Sequence, residues 1–151
     1  MTERDAFRKT EKCLYDYKKN LACLEILRQD LKILQASTDV KAQNYDKPFS
    51  ENLMPSDPVH SRLANIETIE NKIKQLERYV LPIERLERDL SSSDVLENSS
   101  NKELLKILRL FYFGSNSLRL VLFELKLSCP TFFRKRKKLV KLAMSYLGLS
   151  F

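Results

Sequence analysis

The sequence contains few of the residues that enzymes and metal sites need. Its 151 residues include a single histidine, His60, and only two glycines. A histidine-rich metal site or a phosphate-binding glycine loop needs several such residues close together, so both are excluded. The three cysteines, Cys13, Cys23 and Cys129, are odd in number and show no Cys-x-x-Cys spacing, which argues against a disulfide framework and a zinc ribbon. We expect free thiols, no metal, no cofactor and no catalytic activity.

Long apolar segments are also absent. The longest apolar runs, such as residues 110–113 and 120–123, are far shorter than the roughly 20 residues that span a bilayer. The first residues include Glu3, Arg4 and Asp5 and lack the apolar core of a signal peptide. We therefore expect no membrane segment and a cytoplasmic location.

Apolar residues are nevertheless abundant, and their spacing is helical. The content of 43% hydrophobic and 31% charged residues is typical of a folded domain. Apolar residues recur every three or four positions, and no stretch alternates strictly between apolar and polar residues. The sequence therefore predicts an all-α fold.

Residues 1–90 are predicted to form two long helices joined by a mobile loop. The first helix spans about residues 2–35, and residues 37–57, rich in Ser, Thr, Asn and Asp, form the loop. Asp57 followed by Pro58 predicts the start of the second helix, and Pro82 predicts a kink or break in it. The apolar stripe of the first helix consists of Leu14, Tyr17, Leu21, Leu24, Leu27, Leu31 and Leu34. That of the second helix consists of Val59, Leu63, Ile66, Ile69, Ile73, Leu76, Val80 and Ile83.

Each stripe needs an apolar partner, because helices this amphipathic bury their apolar face. The two stripes can pair within one chain as a long antiparallel hairpin, or with those of a second copy as a coiled-coil homodimer. The periodicity does not choose between these two arrangements.

Positive charge is concentrated at one end of the sequence. Residues 102–151 contain eleven Lys or Arg and two acidic residues, a net charge of +9, whereas residues 1–101 have a net charge of −2. Such a concentration of cations is typical of a domain that binds a polyanion. Residues 91–101, rich in Ser and Asn, are predicted to be a linker ahead of this basic domain.

The basic domain is predicted to consist of three helices. They span residues 102–113, 118–126 and about 129–147, with turns at residues 114–117 and 127–128. Ser128 is expected to be the N-cap of the last helix. Three short helices with tight turns, the last one basic, match a helix-turn-helix, whose second helix enters the major groove of DNA.

Several segments of the basic domain carry a resemblance to a known family. They are Phe111-Tyr112-Phe113-Gly114-Ser115, Glu124-Leu125-Lys126-Leu127-Ser128, Phe132-Phe133-Arg134-Lys135-Arg136-Lys137 and Lys141-Leu142-Ala143. Residues 104–148 resemble the promoter-reading region 4 of sigma factors and, within that group, the ArpU/RinA-type phage regulators of late genes and autolysins. One departure from the family is Lys126, which occupies a turn position usually held by Gly.

The resemblance implies a phage or prophage transcriptional regulator that binds double-stranded DNA near a promoter, at the nucleoid of a bacterial host. It also implies activation of late genes through contact with RNA polymerase. Nothing in the composition or the periodicity distinguishes activation from repression.

The last helix has one cationic face and one apolar face. At about 100° per residue, Arg134, Lys137, Lys138 and Lys141 share one side. Residues near the start of a recognition helix reach base edges. The candidates for base contacts are Thr131 and Arg134, with Lys135 and Lys138 beside them, and those for phosphate contacts are Arg119, Lys126, Lys137 and Lys141.

Four further side chains of the basic domain are placed by the same geometry. Phe132 is expected in the core and Phe133 at its flank. Arg136 is expected to pack its stem along the core and extend its guanidinium into solvent. Leu120 and Phe123 lie on the outer side of the preceding helix, so they either contact the N-terminal helices or form an exposed patch for a partner; of the two, we expect burial within the protein.

Two rival functions fit parts of the sequence. A helical interaction protein, for instance a packaging-related component, could use its basic end only to attach to nucleic acid without sequence preference. Binding of single-stranded RNA is weaker as an interpretation, because no exposed aromatic platform is evident. A regulator prefers a promoter fragment over random DNA, and this preference separates it from a protein with a nonspecific basic end.

Overall fold

The computed structural model describes residues 2–43, 58–92 and 99–149, and about 91% of these residues are helical. No β-strand occurs in these three ranges, which confirms the all-α class. The elements are α1 (Glu3–Gln43), α2 (Pro58–Ser92), α3 (Ser99–Ile107), a π-helix (Leu108–Phe113), α4 (Leu118–Leu125) and α5 (Cys129–Tyr146). None of these helices is sufficiently long and apolar to pass through a bilayer.

Helix α1 begins at a reciprocal cap and runs further than predicted. The Asp5 N–H donates to Thr2 Oγ1 at 3.2 Å, and the Thr2 N–H donates to Asp5 Oδ2 at 3.3 Å, so two free backbone donors are satisfied. The hydrogen bonds from Thr2 lower the pKa of the Asp5 carboxyl. The helix extends to Gln43 rather than Gln35, since no Gly or Pro interrupts it there. The rest of the predicted loop lies outside the described residues.

Helix α2 begins at Pro58, as predicted, while the proposed cap, Asp57, lies outside the described residues. Of the predicted kink or break at Pro82, a break is wrong, because α2 continues through this residue to Ser92. A proline removes only one backbone hydrogen bond, and the burial of Val80 and Ile83 on either side of it (0% and 1% exposed) holds the helix together. Of the predicted linker, residues 91–92 and 99–101 are helical, and residues 93–98 lie outside the described part.

The chain forms two compact units. The first combines Met1–Asn20 with Arg78–Phe151, and the second is Leu21–Glu77. The first unit therefore contains the beginning of α1, the end of α2 and all of the basic C-terminal helices. Its buried apolar side chains are Ala6, Leu14, Tyr17, Val80, Ile83, Leu86, Leu90, Leu104, Ile107, Leu108, Tyr112, Val121, Phe132, Leu139, Val140, Ala143 and Met144.

The second unit buries only part of the predicted stripes. Leu24 and Ile73 are buried, as predicted, and Arg28 forms an ion pair with Glu77 at 3.2 Å. Leu63, also predicted to be buried, is 53% exposed. Within one chain the stripe is therefore not covered at Leu63, because helical spacing identifies a face and does not say how far along the helix that face is covered.

The predicted helix 102–113 changes its hydrogen-bond pattern halfway. Residues Leu108–Phe113 form a π-helix, and the Gly114 N–H donates to the carbonyl oxygen of Arg109 at 2.9 Å, five residues back. Gly114 is needed here, because a Cβ would lie 2.9 Å from the carbonyl oxygen of Leu110, closer than van der Waals contact permits. The Asn116 side chain closes the turn by donating from Nδ2 to the same oxygen at 2.9 Å.

Candidate nucleic-acid interface

Helices α4 and α5 are separated by a tight turn of three residues, Lys126, Leu127 and Ser128. Helix α4 is capped at its start by Ser117, whose Oγ accepts from the Leu120 N–H at 3.3 Å. It ends at Lys126, whose left-handed backbone (φ 53°, ψ 43°) is the conformation that usually calls for Gly. The turn therefore keeps the left-handed backbone of a glycine turn although residue 126 is a lysine.

Helix α5 starts where the sequence predicts. Ser128 occupies the N-cap position, as predicted, and Pro130 lies in the first turn. The Ser128 hydroxyl accepts no backbone N–H and instead donates to Thr131 Oγ1 at 2.8 Å. Thr131, a predicted base contact, is half-buried and held by this bond.

The two faces of α5 differ sharply in burial. Phe132, Leu139, Val140, Ala143 and Met144 are buried, so the prediction of a core position for Phe132 is confirmed. Phe133 is 45% exposed, in keeping with a flanking position. Four predicted contact residues lie exposed on α5, namely Arg134, Lys137, Lys138 and Lys141. The buried face therefore anchors a helix whose opposite face presents cations.

The cations of α5 differ in their acidic partners. Lys135 is half-buried and forms an ion pair with Glu103 of α3. Lys141 lies 3.7 Å from Glu3 of α1. Among the residues that the structure describes, Arg134 and Lys138 have no carboxylate oxygen within 4.0 Å. Their charge is available to an external anion.

The two predicted phosphate contacts outside α5 also lie at the surface. Arg119 is exposed in the first turn of α4, and Lys126 is exposed in the turn that follows this helix. Neither residue forms an ion pair within the described residues.

Arg136 is not extended into solvent, and that expectation is wrong. Its Nε donates to Glu11 Oε1 at 2.8 Å and to the Tyr112 hydroxyl at 3.2 Å, and its Nη2 also contacts Glu11. The Tyr112 hydroxyl donates to the same Glu11 oxygen at 2.9 Å. We call these three side chains the Glu11–Tyr112–Arg136 network. It joins α1, the π-helix and α5.

The network lies in an environment that favours its observed protonation. Burial raises the pKa of the Tyr112 hydroxyl well above that of a free tyrosine, so this group stays a donor. Burial alone would lower the pKa of the Arg136 guanidinium, but its hydrogen bonds to Glu11 and Tyr112 raise the pKa overall. Arg136 therefore remains charged and paired with the carboxylate.

Aromatic rings surround the network. Tyr112 contacts Tyr15 and Phe111 with ring centroids 4.8 and 5.0 Å apart, and Phe111 contacts Phe132 at 5.3 Å. The Arg136 guanidinium lies 5.8 Å from the ring centroids of Phe111 and Phe133, a distance at which a cation is attracted to an aromatic face. Sequence reasoning gave no role to Glu11 or Tyr112.

The sequence position of Glu11 could have identified it as a residue that needs a partner, because it lies on the buried face of α1. It lies four residues after Phe7 and three before Leu14, so the apolar side of the helix carries a carboxylate at this point. A charge on such a face needs a partner, because an unpaired buried charge is costly.

The expected burial of Leu120 and Phe123 is wrong. Leu120 is 44% exposed and Phe123 is 78% exposed, whereas Val121 of the same helix is fully buried. Helix α4 packs against α3 and the π-helix through its opposite side. A helix at the surface of a domain buries one face and leaves the other in solvent, so Leu120 and Phe123 stay exposed.

No metal or cofactor site emerges from these groups. Within the part of the chain that the structure describes, His, Cys, Asp and Glu side chains do not gather in threes as a metal ion would require. Comparisons with protein-family models, with curated proteins and with solved structures find no match to this chain.

Proposed function

We propose that this chain binds double-stranded DNA through α4, the turn at residues 126–128 and α5, arranged as a helix-turn-helix, and that it regulates transcription. The observation that carries the proposal is the exposed cationic face of α5 opposite its buried apolar face. A rigidly anchored helix with unpaired cations is what major-groove binding requires. A three-residue turn between α4 and α5 fits the same motif.

The burial and pairing of each side chain support distinct roles. Arg134 is exposed, without an acidic partner in the described residues and in the second turn of α5, so we assign it to base recognition together with Thr131. Lys137, Lys138 and Lys141 extend the same face and contact phosphates, as do Arg119 and Lys126. Lys135 is held by Glu103, so we assign it to positioning α5 against α3 rather than to a base contact.

The long helices form the second part of the proposal. In the first unit, burial and, to a smaller extent, the acidic side chains Glu87 and Glu84 of α2 raise the pKa of Tyr17 of α1, which supports a side-by-side arrangement of these helices. We propose an intramolecular hairpin as the basic arrangement. Exposed Ile26, Ile33 and Leu63 of the second unit (58%, 66% and 53% exposed) support additional pairing with a second copy or with RNA polymerase.

The resemblance to ArpU/RinA-type regulators extends the proposal to a phage or prophage protein that activates late genes in the bacterial cytoplasm. The rival is a packaging-related or other interaction protein whose basic end binds nucleic acid without preference. Both proteins would bind DNA, so sequence preference decides between them.

The decisive experiment compares Arg134→Ala with Lys141→Ala across a salt series. The DNA probes are a site selected from the DNA flanking the gene and a random duplex of equal length. We expect Arg134→Ala to lose about 1 to 3 kcal/mol on the selected site and less on the random duplex. Lys141→Ala should weaken both equally and reduce the slope of log affinity against log salt by about one unit.

Lys32→Ala is the matched control, since it removes an exposed lysine of the second unit, which has no part in the proposed interface. Equal, sequence-independent losses for Arg134→Ala and Lys141→Ala would support the nonspecific rival. Losses no greater than that of the Lys32→Ala control would show that α5 is not the DNA-contacting helix.

A further inference from the structure

A cleft lies between the beginning of α1 and the middle of α5, within the first compact unit. Its volume is about 560 Å³. Its walls are formed by two aromatic rings and six charged side chains, namely Glu3, Arg4, Phe7, Arg8, Glu11, Phe133, Arg136 and Lys137. Lys137 also lies on the exposed cationic face of α5, so the cleft adjoins that face.

The acidic side chains of the cleft are already engaged. Glu11 is held by Arg136 and Tyr112 in the network described above. Glu3 lies 3.7 Å from Lys141. Among the described residues, Arg4, Arg8 and Lys137 have no carboxylate oxygen within 4.0 Å. Three unpaired cations therefore remain around one opening.

The chemistry of these cations favours a phosphate group. Arginine presents a planar fork of donors that matches phosphate oxygens in a bidentate manner, and Arg4 and Arg8 lie four residues apart, which places them on one face of a helix. Arg4, Arg8 and Lys137 are exposed, so an anion can reach them without rearrangement of the backbone. The rings of Phe7 and Phe133 add an apolar wall against which a sugar can pack.

We propose that this cleft binds the phosphodiester backbone of the duplex whose major groove receives α5, so that α1 supplies two DNA contacts, Arg4 and Arg8. This inference rests on the proposed function. A strand that borders the major groove passes beside a helix inserted into it, and Lys137 connects the face of α5 with the cleft. The Glu11–Tyr112–Arg136 network ties the two helices together at the base of the cleft and fixes the distance between their cations.

The test measures affinity against salt for the double variant Arg4→Ala/Arg8→Ala. Each lost phosphate contact reduces the slope of log affinity against log salt by about 0.9, so two contacts reduce it by about 1.8. Between 50 and 200 mM salt, the affinity of the unmodified protein should therefore fall roughly 12-fold more than that of the variant. The reduction should be the same on the selected site and on random duplex, because phosphate contacts carry no sequence information.

Two matched variants control for net charge and for folding. Lys19→Ala/Lys32→Ala removes two exposed charges from α1 outside the cleft and should leave the slope nearly unchanged. Arg4→Lys/Arg8→Lys keeps both charges and should retain most of the slope. Circular dichroism melting curves of all variants should superimpose, since the substituted side chains are exposed.

A slope for Arg4→Ala/Arg8→Ala equal to that of the Lys19/Lys32 control, with Arg134→Ala still weakening binding, would overturn this inference and leave the proposed function intact. If Arg134→Ala also leaves DNA binding unchanged, both this inference and the proposed function are overturned. Phosphorus NMR with inorganic phosphate distinguishes the source of the anion. Binding of free phosphate that depends on Arg4 and Arg8, together with an unchanged DNA slope, would overturn the assignment of the cleft to DNA.

Discussion

Removing one partner from the Glu11–Tyr112–Arg136 network should cost much more stability than removing one partner from the more exposed Arg28–Glu77 pair. The side chains of Arg136 and Glu11 are only 24% and 15% exposed. Removing one partner of a buried pair costs about 3 to 5 kcal/mol, and a pair at the surface contributes about 0.2 to 1 kcal/mol. For this partly buried pair we expect a loss of about 2 to 3 kcal/mol for either Glu11→Ala or Arg136→Ala, which leaves the other group uncompensated.

A double-mutant cycle isolates the interaction from the loss of side-chain packing. We expect the double variant Glu11→Ala/Arg136→Ala to be about 1 to 2 kcal/mol more stable than the sum of the single losses predicts. Urea unfolding followed by circular dichroism gives these free energies. In thermal melts, each single substitution should lower the Tm by roughly 4 to 12 °C, taking about 2 to 4 °C per kcal/mol for a chain of this size.

The Arg28–Glu77 pair provides an internal control. Its atoms are 3.2 Å apart, yet its side chains are 46% and 32% exposed, so its coupling energy should stay below about 1 kcal/mol. A coupling energy between Glu11 and Arg136 no greater than that between Arg28 and Glu77 would refute the reasoning, because burial would then have no effect.

The same network predicts how stability changes with pH. The pKa of Tyr112 is higher in the folded chain than in the unfolded chain, mainly because the hydroxyl is buried. The contribution of the neutral phenol is therefore fully present below the unfolded pKa, about 10, and is lost as the pH rises above that value. Tyr112→Phe should remove part of this alkaline dependence.

Two further predictions concern the turn and the thiols. Lys126→Gly should stabilise the protein by about 0.5 to 1 kcal/mol in urea unfolding. The left-handed conformation costs a residue with a side chain about 1 to 2 kcal/mol, and part of this gain is offset because glycine loses more conformational entropy than lysine when the chain folds. Lys126→Val should destabilise the protein, and a glycine variant that is less stable than the valine variant would contradict the left-handed turn at residue 126. Cys23 and Cys129 are exposed, whereas Cys13 is half-buried and burial raises the pKa of its thiol, so mass spectrometry after brief alkylation should show Cys13 modified last. Bound duplex DNA should slow the alkylation of Cys129 at the start of α5 and leave that of Cys23 unchanged. If DNA does not change the alkylation rate of Cys129, the proposed orientation of α5 is contradicted.

Local features of the fold were predictable because they depend on neighbours in the sequence. The periodicity of apolar residues indicates helices whatever their partners, and the starts of α2 at Pro58 and of α5 beside Pro130 follow from the preference of proline for the first helical turn. Phe132 was placed correctly because its helical position is shared with Leu139 and Ala143. The exposed cations of α5 follow from the same rotation per residue.

Features that depend on distant partners were not predictable. Arg136 pairs with Glu11, which lies 125 residues away in the chain, and no local pattern identifies this partner. Lys135 and Arg134 look alike in the sequence, yet only Lys135 meets an acidic residue of α3. Helical geometry places Phe123 on the outer side of α4, but only the packing of α4 through Val121 shows that this apolar ring stays exposed.

The first compact unit is built from two separate stretches of chain, so it cannot form until the ribosome has made both. Glu11 emerges from the ribosome 125 residues before Arg136, a delay of about 6 to 25 s at 5 to 20 residues per second. During that time Glu11, on the face of α1 that carries the buried side chains of Ala6, Thr10 and Leu14, lacks its Arg136 partner. The unit must close a long loop before it can fold, so a nascent chain truncated before α5 cannot complete it.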